Sequence, residues 1–151
     1  MPSVRELAED IGKGLFAGAA GTAAMTASST LEAKLREREP SDAPAEAAGK
    51  VLGVQPRDSD GRQRFSNLVH WAYGTSWGAV RGLLDAVGHR GAKASAEHFA
   101  LVWGTEQVML PSLEVTPPPW QWGARELAID GLHHAVYAAA TGLAYALIDR
   151  S

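Results

Sequence analysis

The stretch from Gly14 to Leu31, GLFAGAAGTAAMTASSTL, carries no charged side chain and yet is interrupted by Gly14, Gly18 and Gly21. A glycine inside a helix in water costs about 1 kcal/mol relative to alanine. A chain that keeps several must recover that cost through what they touch. Gly14 with Gly18, and Ala17 with Gly21, are small residues four apart. This spacing clears one helix face so that a second backbone can come close, a device used above all between helices in lipid. The run is about 18 residues long, the lower end of what crosses a hydrocarbon layer. Upstream, Ser3 and Glu6 have capping-box spacing and start the helix at Val4. Arg36, Glu37, Arg38 and Glu39 follow Leu35, and Pro40 ends the helix.

The rest of the chain divides in the same terms. Residues 37–64 turn to charge, proline and small side chains, a polar connector with one short helix predicted from Pro44 to Val51 behind Asp42. A second long apolar segment runs from Phe65 to Gly88. Its Arg81 and Asp85 are four apart, suited to an ion pair and near enough to the segment's end for their side chains to snorkel. A third begins near Ser95 and stops at Pro111, and a fourth, again alanine-rich, runs from Gly123 to Ile148 after the three prolines 117–119. No stretch alternates with period two, so no sheet is expected. The expectation is an all-α fold: one domain over 1–151, a four-helix bundle of long Gly/Ala-rich helices, transmembrane, with one or two short extra helices. Basic residues crowd the first connector and are absent from 94–124, which puts that connector in the cytoplasm and both termini outside. The first ten residues hold three acids and one base with no leucine-rich run behind them, unlike a cleaved leader.

Composition removes several kinds of chemistry. There is no cysteine, hence no disulfide, thiolate metal site or cysteine nucleophile. A net charge of -3 gives no basic face for nucleic acid. No nucleophile elbow or phosphate loop occurs, and no enzyme activity or cofactor is expected. Against membrane spans stands the mean hydropathy of -0.13.

Pro111 followed by Glu114–Trp120, EVTPPPW, resembles a stretch of the YagU-like family of bacterial inner-membrane proteins, in which a glycine stands where this chain has Glu114. Similarity extends to the small-residue first helix leading to Glu32 and Pro40, to His70 early in the second helix, and to Asp130 and His134 four apart. The resemblance implies an integral helical protein of the bacterial cytoplasmic membrane, with no assigned activity.

An ionisable group inside a membrane span points to function, because desolvating it is costly unless it is paired or wet. On the last helix Glu126, Asp130 and either His133 or His134 share a face. If that face looks inward toward His70 and Glu106, the interior holds a cluster of His70, Glu106, Asp130 and His134 able to handle protons, ions or a small solute, with Glu32, Glu126 and His133 as secondary candidates. The plainer alternative leaves Glu126 and Asp130 in a wet first turn, favoured by the positive helix N-terminus, with the histidines bonded to neighbours. His98 reads as a capping or solvent-facing residue, and Trp120 and Trp122 as anchors at the lipid headgroups. One Asp-x-x-His pair is too little for a di-iron centre, and no tight ligand signature marks a metal site. Expected partners are the lipid bilayer and, through the Gly14, Gly18 and Gly21 face, a second copy of the chain. The opposing reading is a soluble or peripheral helical interaction module without catalytic activity.

Overall fold

A computed structural model describes residues 2–39 and 41–150. Five α-helices follow one another, α1 (Val4–Leu35), α2 (Ala43–Leu52), α3 (Ser59–Ala86), α4 (Gly91–Ser112) and α5 (Ala124–Ile148), with one 3-10 turn at Pro119–Gln121. Among the described residues there is no strand. The molecule is a helical bundle.

The starts follow local chemistry. Ser3 and Glu6 form both halves of the capping box. The start of α3 lies six residues before the predicted Phe65 because the Asp58 side chain accepts from the Gly61 N–H and opens the helix inside the polar stretch. The connector is therefore mostly helix: α2, then the first turns of α3. Pro111 does not stop α4 but sits in its last turn, which closes at Ser112. At the end of α1 the helix closes at Leu35, and Glu37 takes up a φ of 52°. Pro40, the predicted stop, lies outside the described residues.

α1 packs on α3 along one face and on α5 along another. The α1–α3 seam is glycine against glycine. A Cβ on Gly18 would lie 2.7 Å from the Gly78 Cα and 2.7 Å from the Thr75 carbonyl oxygen, and one on Gly14 would lie 2.9 Å from the Gly82 nitrogen. Gly14 faces Gly82, Gly18 faces Gly78, Thr22 faces Gly74 and Thr26 faces His70. Each step of four along α1 meets a step of four back along α3, a strict antiparallel register. On the other face, Lys13 pairs with Asp149, Gly21 abuts Tyr137 and Thr141, Ser28 bonds His133 and Arg36 pairs with Glu126. α4 then lies against α5, with Ser95 against Gly142 and Trp103 against Gly131.

Such close backbones leave little room for aliphatic side chains. The bulkiest fully buried residues are Tyr137, Tyr145, His98, Thr22 and Thr141, while Phe16, Leu132, Leu143 and Leu147 are exposed. From Leu15 to Leu31 of α1, Phe65 to Ala86 of α3, Ala94 to Ser112 of α4 and Leu127 to Ile148 of α5, no exposed residue carries a charge. The charges in those stretches, Arg81, Asp85, Glu97, Glu106 and Asp130, are buried or half-buried. Arg81 and Asp85 thus do not snorkel. They lie in the core 3.6 Å apart, the guanidinium 4.4 Å from the Tyr145 ring centroid, because Gly78 and Gly82 draw their helix face against α1. Among the described residues no helix is long and apolar enough to cross a membrane.

Two substitutions test this architecture in opposite senses. Gly78→Ala drives a methyl into the Gly14 carbonyl and Gly18 backbone, so denaturant unfolding is expected to show a loss of about 1–3 kcal/mol, as for other overpacked cores. Glu114, with φ 56°, sits in the left-handed region that costs a residue bearing a Cβ roughly 1 kcal/mol. Glu114→Gly is expected to stabilise by about that amount, and no gain would mean that the turn is held by something other than its backbone.

Candidate functional site

α5 presents Asp130 and His134 one turn apart, and α4 presents Trp103, Glu106 and Gln107 on one face, three and four residues apart. The two faces meet. His134 Nδ1 lies 2.9 Å from the carbonyl oxygen of Asp130. A carbonyl only accepts, so Nδ1 bears the proton and donates. The other ring nitrogen, Nε2, contacts a Glu106 carboxylate oxygen directly. One proton must lie in that contact, either on the imidazole facing a carboxylate or on the carboxyl facing a neutral imidazole. The pair therefore shares one proton while its sum of charge stays the same. Asp130 is held by its Oδ2, which accepts from the Trp103 indole N–H at 2.7 Å and from the Gln107 amide at 3.1 Å. Its Oδ1 lies 3.7 Å from His134 Nδ1. Glu106, Asp130 and His134 offer ligand atoms within 4.8 Å of one another, the one such metal-competent group among the described residues.

His70 approaches the same place from α3. The Thr26 hydroxyl donates to the Thr22 carbonyl at 2.7 Å, so the proton in its 2.9 Å contact with His70 Nε2 belongs to the imidazole. His70, Glu106 and His134 border two spaces at once. One is a cavity of about 370 Å³, walled by Met25, Val69, Trp77, Val102 and Leu110 and covered by Pro44, Ala47 and Val51 of α2. The other is a polar cleft of about 1200 Å³ that also reaches Asp130, His133, Arg38 and Arg62. α2 is tied over the cavity by Lys50, whose ammonium donates to the carbonyls of Leu113 and Glu114 at 2.8 and 2.9 Å, beyond the last turn of α4.

The predicted face of α5 divides in two. Asp130 and His134 join Glu106, with His70 at the edge of the same cavity. His133 turns toward α1, where Nδ1 meets Ser28 Oγ at 2.8 Å and Nε2 stands 3.7 Å from Glu32. Glu126 is exposed and pairs with Arg36, which also bonds Glu32 at 2.8 Å, and Arg38 bonds Glu32 as well. A 100° step per residue separates neighbours His133 and His134 onto different faces, so only one of them could join the cluster. The Arg38 and Arg36 guanidiniums hold the Glu32 carboxyl down at about 2, and Arg36 likewise lowers that of Glu126.

His98 is not at a wet cap. It is fully buried, Nε2 donating to the Trp77 carbonyl at 3.0 Å, its ring 5.5 Å from that of Tyr137. The start of α4 at Gly91 puts it a full turn deeper than a helix beginning at Ser95 would. Trp103 and Gln107 were missed as partners of Asp130, though their spacing to Glu106 marked them as sharing its face. Trp120 is exposed, and the Trp122 indole donates to the Pro117 carbonyl at 2.7 Å, which holds the proline turn together.

No protein family, no curated protein and no solved structure matches the chain.

The Glu32 knot sets a pH dependence. With its folded value below the unfolded one, Glu32 contributes stability that is complete above the ordinary carboxyl value of 4.5 and is lost as pH falls toward about 2. Unfolding free energy measured from pH 6 down to about pH 3 should fall less in Glu32→Gln than in the parent. Parallel profiles would show that the arginines stabilise the fold without Glu32.

Proposed function

We propose that the chain is a small polytopic membrane protein. In this reading α1, α3, α4 and α5 form a four-helix transmembrane bundle, and the Glu106–His134 pair exchanges a proton in step with a small, mostly apolar solute held in the adjoining cavity. The observation that carries the reading is the inversion of the surface. Along the middle of all four long helices the exposed residues are uncharged, and the charges there are buried or half-buried. An outer face carrying Phe16, Leu132, Leu143 and Leu147 with Arg81 and Asp85 buried suits a lipid surround, where apolar side chains face outward at no cost and charges must be sheltered.

Averaged hydropathy is a poor guide to such helices. It counts the inward glycines, threonines, histidines and ion pairs equally with the face that would meet hydrocarbon. α5 is 25 residues, about 37 Å at 1.5 Å per residue, against a core of about 30 Å. Charges gather beyond both ends, with Arg5, Glu9, Arg90 and Arg150 at one and Lys34, Arg38, Arg57 and Arg125 at the other. The bacterial cytoplasmic membrane is the location that the YagU-like resemblance suggests.

For the activity, the supporting fact is position. A proton-sharing pair lies where an apolar cavity meets a polar cleft, so a solute entering the cavity would displace water from one side of the pair and leave the other side wet. The hydropathy result favours the opposing reading, a peripheral helical module held by protein contacts.

With no cysteine in the chain, single cysteines decide between the two. In inverted membrane vesicles, which expose the cytoplasmic face, Leu143→Cys should resist a membrane-impermeant maleimide and Arg125→Cys should react. Equal labelling, together with release of the protein by alkaline carbonate, would establish the peripheral module. In proteoliposomes with an entrapped pH dye, Glu106→Gln should slow proton movement about a hundredfold or more, the usual contribution of a positioned proton donor. An unchanged rate would remove the proton role.

A further inference from the structure

We infer that Glu106, Asp130 and His134 form a binding site for a divalent first-row metal ion of the zinc or iron(II) kind. The argument begins with charge. Two carboxylates meet in a half-buried corner, and among the described residues the ion pairs of Glu106 and Asp130 are with His134 alone. Arg36 and Arg38 are committed to Glu32 and Glu126. A single proton on His134 balances one carboxylate. A divalent cation balances both, and the cost of holding two like charges away from water disappears with it.

The donors are also oriented as ligands. A metal-bound imidazole characteristically gives its second N–H to a carbonyl or carboxylate, which fixes the tautomer and the ring plane. His134 does this through Nδ1 and the Asp130 carbonyl, which leaves Nε2 on the Glu106 side to bind an ion in place of the proton the two now share. Asp130 is fixed in turn by the Trp103 and Gln107 donors on Oδ2, and Oδ1 accepts no hydrogen bond among the described residues. The Gln107 Oε1 is buried in the same corner without a partner, an acceptor suited to a metal-bound water. Ligand atoms within 4.8 Å of one another need only small side-chain rotations to reach bonds of about 2.0–2.2 Å to one ion. One imidazole with two carboxylates and no thiolate suits zinc, iron(II) or manganese(II). Three protein ligands leave a position open, and the polar cleft gives the ion a way in while the apolar cavity lies on the other side.

The inference shares its corner with the proposed function and does not depend on a lipid setting. The test is titration of the purified full chain with zinc by calorimetry, with thermal unfolding alongside and cobalt(II) absorption to report the ligand field. One zinc per chain is expected, with a raised Tm. Asp130→Asn and Glu106→Gln, close in shape to the residues they replace, should abolish binding. Trp103→Phe, which loses only the indole N–H to Asp130, should weaken it about tenfold or more, the usual effect of a supporting hydrogen bond. His133→Ala, on the separate Glu32 side, should leave the stoichiometry unchanged. Zinc that fails to bind, or binds equally to the Glu106→Gln, Asp130→Asn double variant, overturns the metal site. The labelling and proton measurements above would then still stand or fall on their own results.

Discussion

Backbone contact between α1 and α3 governs the rest of the structure. Glycine facing glycine at two successive turns brings the helices so close that a single methyl on Gly14, Gly18 or Gly78 meets main-chain atoms. Dispersion contact over that length replaces the burial of large side chains as the source of cohesion. It also decides register. A helix that must match glycines at intervals of four cannot slide by one residue, and with the seam locked, Thr26 is delivered to His70. Through the second face of α1, Ser28 is delivered to His133 and Arg36 to Glu126.

The inversion of polarity follows from the same constraint. Between backbones in contact there is space for hydroxyls, for rings laid flat and for the occasional ion pair, but not for leucine. Buried polar groups then need partners within the bundle, and four of them find backbone carbonyls. Thr22 reaches Gly18, Tyr137 reaches Gly74, His98 reaches Trp77 and His134 reaches Asp130. Each of these bonds fixes a side chain against its own or a neighbouring helix, so the bonded polar groups are held in place.

Much of this was written in plain terms along the chain. The capping box, the five helical segments and the exclusion of strands could be read from spacing alone, and Glu106, Asp130 and His134 could be nominated as polar residues in apolar surroundings. What could not be read was pairing. Gly74, Gly78 and Gly82 repeat the four-residue spacing of the first helix, and only that match between two segments reveals the seam and buries Arg81 with Asp85. The division of His133 from His134 required knowing which helix lies on each side of α5. The true start of α3 was hidden because polar residues beginning a helix look the same as polar residues in a loop when the cap, Asp58, is several residues from the first apolar side chain.

The cavity begins where the seam ends. Thr22 and Gly74, the last small pair, are among its walls, and beyond them the facing residues become Met25, His70 and Tyr73. A helix pair held in contact at one end and given larger, partly polar side chains at the other cannot close completely, and the space left is bounded by whatever the third and fourth helices project. Here these are Val102, Leu110 and the shared-proton pair. A water molecule in such a space finds hydrogen-bond partners at one end only, which makes its displacement by an apolar group inexpensive. The pair at that end borders the polar cleft as well as the cavity, so the one polar end of an otherwise apolar space is also its boundary with the cleft.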